Sequence, residues 1–227
     1  MLQRFIHTLL LTFFCSGALV AAASTAFAEC PQSTVYLIGK TGDIVKFEAS
    51  TTSDAATAHV SYGRGTHASY DRNARVVEAR SEVWSDEAVD HYARATVVEH
   101  FSLHGVSTLP VTLRLNLTVF RATDPGCRTA LVGGSALLAA NGQSAAATAS
   151  CTGYINVPFI EITTVMHSAE PLQVTYEVIT RGWGFEPAFQ LTGQLEFVGI
   201  PEGIIVPCST TLALENSTWG RVKALYR

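Results

Sequence analysis

This sequence predicts an all-β fold, a two-layer antiparallel β-sandwich of jelly-roll or immunoglobulin-like type, with a closed β-barrel as the alternative. Three observations lead there. Apolar side chains recur at every second position over long stretches, turn residues interrupt those stretches at short intervals, and no segment carries a capped helical pattern. Strands with one apolar face each must bury those faces against one another, and two packed sheets do this most simply.

The alternation is clearest from Leu109 to Phe120. There Leu109, Val111, Leu113, Leu115, Leu117 and Val119 alternate with Pro110, Thr112, Arg114, Asn116, Thr118 and Phe120. Leu172, Val174, Tyr176 and Val178 repeat the pattern, as do Phe189, Leu191, Leu195 and Phe197. Weaker strands are expected over Thr34–Ile38, Ile44–Ala49, Ala58–Tyr62, Val76–Trp84, Thr129–Leu138 and Tyr154–Ile162. Asn141-Gly142 is a hairpin signal, because both residues tolerate the positive φ of a type I′ turn. The small polar run Ser50–Ala58 is expected to be a mobile loop. No internal repeat and no second domain is evident.

The first 28 residues read as an export signal. Arg4 supplies the positive start, an apolar run follows from Phe5 to Val20, and Ala26-Phe27-Ala28 has the small-x-small form of a cleavage site. Cys15 is preceded by Phe13-Phe14 instead of the small residues that lipid attachment needs. Cleavage after Ala28 leaves residues 29–227 as one β-sandwich domain, secreted or periplasmic. No later run reaches the roughly 20 apolar residues that span a bilayer, and the sequence closes on GRVKALYR without a hydrophobic sorting tail. Loss of Arg4 gives a mature net charge of −5, which offers nucleic acid no basic footprint.

The exported part holds four cysteines, Cys30, Cys127, Cys151 and Cys208, and an even count in an oxidising compartment predicts two disulfides. Folding back at Asn141-Gly142 brings Cys127 towards Cys151, so the favoured pairing is Cys127 with Cys151 and Cys30 with Cys208. Closing such a loop stabilises a fold by roughly 3 to 4 kcal/mol in the chain-entropy picture. No pair has the Cys-x-x-Cys spacing of structural zinc.

The stretch DHYARATVVEHFSLHG, Asp90 to Gly105, concentrates carboxylates and histidines. On a helix, His100 and His104 would share a face and chelate one metal; on a strand, four residues span about 13 Å and no single ion bridges them. Alternation settles the choice in favour of a strand. Ala93, Ala95, Val97, Phe101 and Leu103 fall on one side, with Tyr92, Arg94, Thr96, His100, Ser102 and His104 on the other. No metal site and no cofactor follow from it. Glu99 is the anomaly, a carboxylate on the apolar side. If Leu109–Phe120 is the hairpin partner, Glu99 lies opposite Leu113 or Leu115 and meets no cation there. It is the one candidate acid/base, and a hydrolase would need a second carboxylate or histidine in the same cleft. The structural alternative is a carboxylate that accepts backbone hydrogen bonds at a bulge or edge.

Other motifs fail on context. Gly39-Lys40-Thr41 lacks the upstream glycine and the following helix of a phosphate loop, and Ser135 in GGSAL lacks the second glycine of a nucleophile elbow. Trp183 and Phe185 flank Gly184 and, with Trp219, form a candidate stacking platform for sugar rings; core plugs entered from a turn are the competing assignment. Sequons stand at Asn116 and Asn216.

ARATVVEHFSLHG followed by an alternating strand, and FQLTGQLEFVGIPEGIIVP later, together resemble a diffuse group of secreted bacterial β-sandwich proteins. Ala93, Ala95, Glu99, Phe101, Leu103 and Gly105 carry the first likeness, Pro201 and Gly203 the second, over about half of the exported chain. The resemblance implies the sandwich fold and export and transfers no catalytic residue. The leading expectation is a non-catalytic structural or interaction module of the cell surface or extracellular matrix, whose partner is a polysaccharide or another surface protein. A glycan-binding module and a hydrolase using Glu99 are the alternatives.

Overall fold

A computed structural model of the chain describes residues 31–42, 44–51, 57–62, 66–81, 90–121, 133–150, 157–183, 189–201 and 203–208. Among them thirteen strands run in sequence: β1 (Thr34–Thr41), β2 (Ile44–Thr51), β3 (Thr57–Tyr62), β4 (Thr66–Asp71), β5 (Val76–Ser81), β6 (Asp90–Leu103), β7 (Thr108–Arg121), β8 (Gly133–Ala140), β9 (Gln143–Ser150), β10 (Phe159–His167), β11 (Leu172–Trp183), β12 (Phe189–Phe197) and β13 (Ile205–Pro207).

They form two antiparallel sheets. The first has the order β2-β1-β6-β11-β8-β9, with β13 added against β6; the second has the order β10-β7-β12-β5-β4-β3. Both sheets end in edge strands, so the fold is an open sandwich and the barrel alternative is set aside. From β5 onward the chain changes sheet at every connection except the β8–β9 hairpin, which is the jelly-roll manner of connection.

Strand β6 shows why this sequence makes these elements. Its buried positions are His91, Ala93, Ala95, Val97, Glu99, Phe101 and Leu103, and the intervening residues are half-buried. The expected alternation therefore holds over fourteen residues. In β7, Val111, Leu113, Leu115 and Leu117 likewise turn inward, and each such side chain contributes about 1.5–3 kcal/mol when fully buried. Asn141 (φ 48°) and Gly142 (φ 74°) make the predicted hairpin turn, closed by the pairing of Ala140 with Gln143.

One expectation is overturned. β6 and β7 do not pair as a hairpin: β6 pairs with β1, β11 and β13, and β7 pairs with β10 and β12. The link between them passes through Gly105 (φ 78°) and carries the chain from one sheet to the other. Apolar faces met by apolar faces satisfy burial equally well side by side or across a core, so alternation fixes which way a side chain points and leaves its strand's neighbours open. Glu99 therefore lies beside Val174 of β11, and Leu113 and Leu115 belong to the opposite sheet.

The core between the sheets is closely packed. The Phe101 and Phe197 rings meet edge to face at 4.8 Å, each from a different sheet, with the Arg75 guanidinium 5.3 and 5.6 Å from their centroids. A Cβ on Gly134 would lie 2.7 Å from the Ile179 carbonyl oxygen and 2.8 Å from Phe189 Cε1. That close approach explains the second glycine in GGSAL. Gly39-Lys40-Thr41 lies within strand β1, in keeping with its rejection as a phosphate loop. Strand β8 contains the described part of the expected Thr129–Leu138 and continues to Ala140; positions 129–132 lie outside the described residues, as do Trp84, residues 154–156 and 52–56 of the expected loop.

Candidate functional site

Glu99 is 1% exposed and sits in the middle of the sandwich. Its two oxygens are held by two tyrosines. The Tyr70 hydroxyl donates to Oε1 at 2.5 Å, and the Tyr176 hydroxyl donates to Oε2 at 3.0 Å; the two phenol oxygens lie 3.4 Å apart. Tyr176 comes from β11 in the sheet of Glu99, Tyr70 from β4 in the opposite sheet, so the cluster bridges the two layers. The rings meet at 64° with centroids 6.4 Å apart. Burial raises the Tyr70 phenol well above its ordinary range, with the charge of Glu99 adding to the effect, and Tyr176 is raised in the same way and for the same reasons. Both stay protonated donors.

This arrangement answers how a core tolerates a carboxylate. The acceptor capacity of Glu99 is met by side-chain hydroxyls, where backbone groups at a bulge or edge had been expected. Tyr70, 29 residues away in sequence, was absent from the sequence expectation. The available signal was an inward carboxylate together with inward tyrosines whose hydroxyls need partners.

A second polar group lies nearer one end. Thr41 Oγ1 is 3.3 Å from His91 Nδ1 and 3.5 Å from Thr66 Oγ1, and Ser81 Oγ is 2.8 Å from Thr180 Oγ1 across the sheets. His91 is 2% exposed, its Nε2 is buried without a hydrogen-bond partner, and burial lowers its pKa. The turns at 72–75, 104–107, 141–142 and 168–171 close the opposite end. Trp183 is the last residue of β11, its backbone paired with Asp90 at the His91 end. Phe185, Trp219, Asn216, Cys30, Cys127 and Cys151 lie outside the described residues, as does the expected export signal.

The outer faces differ from the core in kind. On β10-β7-β12 the row Glu161, Arg114, Glu196 runs across three strands. Arg114 Nε donates to Glu161 at 2.6 Å with the guanidinium 4.4 Å above the Phe159 ring, and Asn116 donates to Glu196 at 3.0 Å. Phe120, 56% exposed, stands on the same face. Outside the other sheet, Arg94 meets Glu177 at 2.6 Å and Arg181 lies 5.5 Å from the centroid of Tyr92. His100 is half-buried on β6 and His104 is exposed beyond its end, bonded to Ser102 at 3.1 Å. Among the described residues no three His, Cys, Asp or Glu side chains converge as metal ligands. None of their helices is long and apolar enough to cross a membrane.

No family model matches the chain, and no curated protein matches it. Among solved structures, it is similar to TmCBM61 in complex with beta-1,4-galactotriose, at 9% identity and a TM-score of 0.27, over 62% of this chain and 86% of that one. It is also similar to a structure described for the promiscuous specificity of carbohydrate-binding modules of the β-sandwich superfamily, at 8% identity and a TM-score of 0.21, over 76% and 94%. Likeness at this level carries no argument; the fold rests on the strand pairings themselves.

Proposed function

We propose that this chain is a non-catalytic interaction module that acts outside the cytoplasm, delivered by the signal at residues 1–28 and secured by disulfides. The observation that carries the reading is the enclosure of Glu99. The side chain best placed by sequence to be an acid/base is sealed between two sheets with both oxygens occupied by tyrosines, where no substrate reaches it. A sandwich of two packed sheets is a common platform for recognition. The disulfide part is supported by Cys208, which is buried and disulfide-bonded; pairing with Cys30 and of Cys127 with Cys151 completes it, and peptide mapping under non-reducing conditions tests both bonds.

A polysaccharide is the partner favoured by a specific surface. The outer face of β10-β7-β12 combines an exposed aromatic, Phe120, with planar hydrogen-bonding groups at Arg114, Asn116 and Glu196. Arg114 is paired with Glu161, and Glu196 accepts from the neutral Asn116 amide, which suits a neutral, hydroxyl-rich ligand over an ionic one. The test is retention of the protein on a panel of immobilised neutral polysaccharides. Retention that Phe120→Ala weakens about tenfold, with an unchanged unfolding transition, supports the reading. Retention on none of them removes the polysaccharide, and hydrolysis of a glycoside abolished by Glu99→Gln overturns the non-catalytic assignment.

A further inference from the structure

We propose that His91 is an acid-sensitive latch: protonating its imidazole loosens the end of the sandwich where β1, β6 and β11 meet β4 and β5, while the opposite end stays closed. The inference goes beyond the binding role and stands whatever the ligand is.

The geometry comes first. His91 is the second residue of β6, paired with Thr41 of β1 on one side and Gly182 of β11 on the other. Its ring is enclosed at 2% exposure. Only Nδ1 has a partner, the Thr41 hydroxyl, and that hydroxyl reaches Thr66 on the opposite sheet. In the neutral imidazole the Thr41 contact satisfies Nδ1 as donor, and Nε2 is left with only an unmatched lone pair. The imidazolium needs an acceptor at both nitrogens, and Nε2 has none. Protonation therefore buries a charge and an unmatched donor together.

Among the described residues the surrounding charges do little to relieve this. On its own strand, Asp90 favours the charged form, but the Asp90 carboxylate is already engaged by Lys40 of β1 at 3.3 Å. Arg181 of β11 lies against Tyr92 on the outer face. From β4 and β5 the inward side chains at this end are the hydroxyls Thr66 and Ser81; His67, Glu78 and Arg80 occupy the alternate, outward positions, with His67 3.7 Å from Glu78. Burial thus dominates and lowers the His91 pKa. The sign follows: stability is fully present above the ordinary histidine value near 6.5 and falls as pH drops from there towards the lower folded pKa. One proton taken up on opening corresponds to about a tenfold change in the opening equilibrium per pH unit within that window.

The experiment is amide hydrogen exchange on the whole protein between pH 7.5 and 4.5, corrected for intrinsic rates. Protection at Thr41, Gly42, His91 and Gly182 is expected to fall as pH drops below 6.5, by up to about tenfold per unit, with the Ala140–Gln143 hairpin unaffected. His91→Gln and His91→Phe should each abolish that fall. Equal loss at both ends, or the same slope in the variants, overturns the latch. If neither variant folds, NMR titration of the His91 ring in the unaltered protein decides: a pKa below 6.5 supports the proposal and one at or above it defeats it.

Discussion

Truncating Glu99 to alanine tests how the core carries its carboxylate. Both tyrosine hydroxyls lose the carboxylate at once, and at 3% and 0% exposure neither Tyr70 nor Tyr176 turns to water. Tyr176 keeps the Tyr70 oxygen at 3.4 Å as an acceptor, which leaves the Tyr70 donor unmatched at a cost of about 1–3 kcal/mol. The void left by the side chain adds to that cost. Against a total stability of about 5–15 kcal/mol for an ordinary domain, Glu99→Ala should lose a sizeable share. Tyr70→Phe removes one contact and keeps the ring, so about 1–3 kcal/mol is expected. Combining Glu99→Leu with Tyr70→Phe and Tyr176→Phe should recover most of the loss, because replacing every member of a buried polar cluster by apolar groups of similar size is often near neutral. Urea unfolding followed by tryptophan fluorescence measures each step, and a double-mutant cycle on Tyr70 and Glu99 should give a coupling of about 0.5–3 kcal/mol. A Glu99→Ala protein within about 0.5 kcal/mol of the parent, or a coupling of zero, would refute the bridging role.

Two backbone positions give sharper, smaller effects. Gly134→Ala forces a methyl against the Ile179 carbonyl and the Phe189 ring and should cost about 1–3 kcal/mol in chemical denaturation, more than Gly193→Ala, whose new contacts at 3.1–3.3 Å are with the side chains of Leu115 and Val178. Gly142→Ala meets nothing within 4 Å but must hold φ near 74°, so a purely conformational loss of about 1 kcal/mol is expected as a lower melting temperature, and Gly142→Asn should restore part of it.

The inward and outward faces of β6, β7, β11 and β12 were legible because large apolar residues alternate there with polar ones. β4 and β9 were not, for the opposite reason. In THASYD only Ala68 and Tyr70 mark the buried face, and in QSAAATAS the buried Ala147 and Ala149 differ little in hydrophobicity from their exposed neighbours Ala146 and Thr148. Small side chains leave a period-two pattern almost without amplitude. Strand β13, three residues long, is below the length at which any period can be read.

Partnership was the other gap. Glu99 stood out as an inward carboxylate, yet its partners lie 29 and 77 residues away, and nothing local specifies which strand crosses above it. The same applies to His91: its inward parity was readable, while the hydroxyl group around it assembles from β1, β4, β5 and β11. Phe120 was visible as an aromatic on the polar side of its strand; only the neighbouring β10 and β12 give it a face to belong to.

The account depends on β6 lying in a different sheet from β7 and β4, since β4 of that opposite sheet carries the Tyr70 that meets Glu99. Interstrand backbone NOEs in isotopically labelled protein measure it directly. They should join Val97 to Val35 on one side and to Tyr176 on the other. Backbone NOEs linking β6 to β7 as neighbouring strands would contradict it.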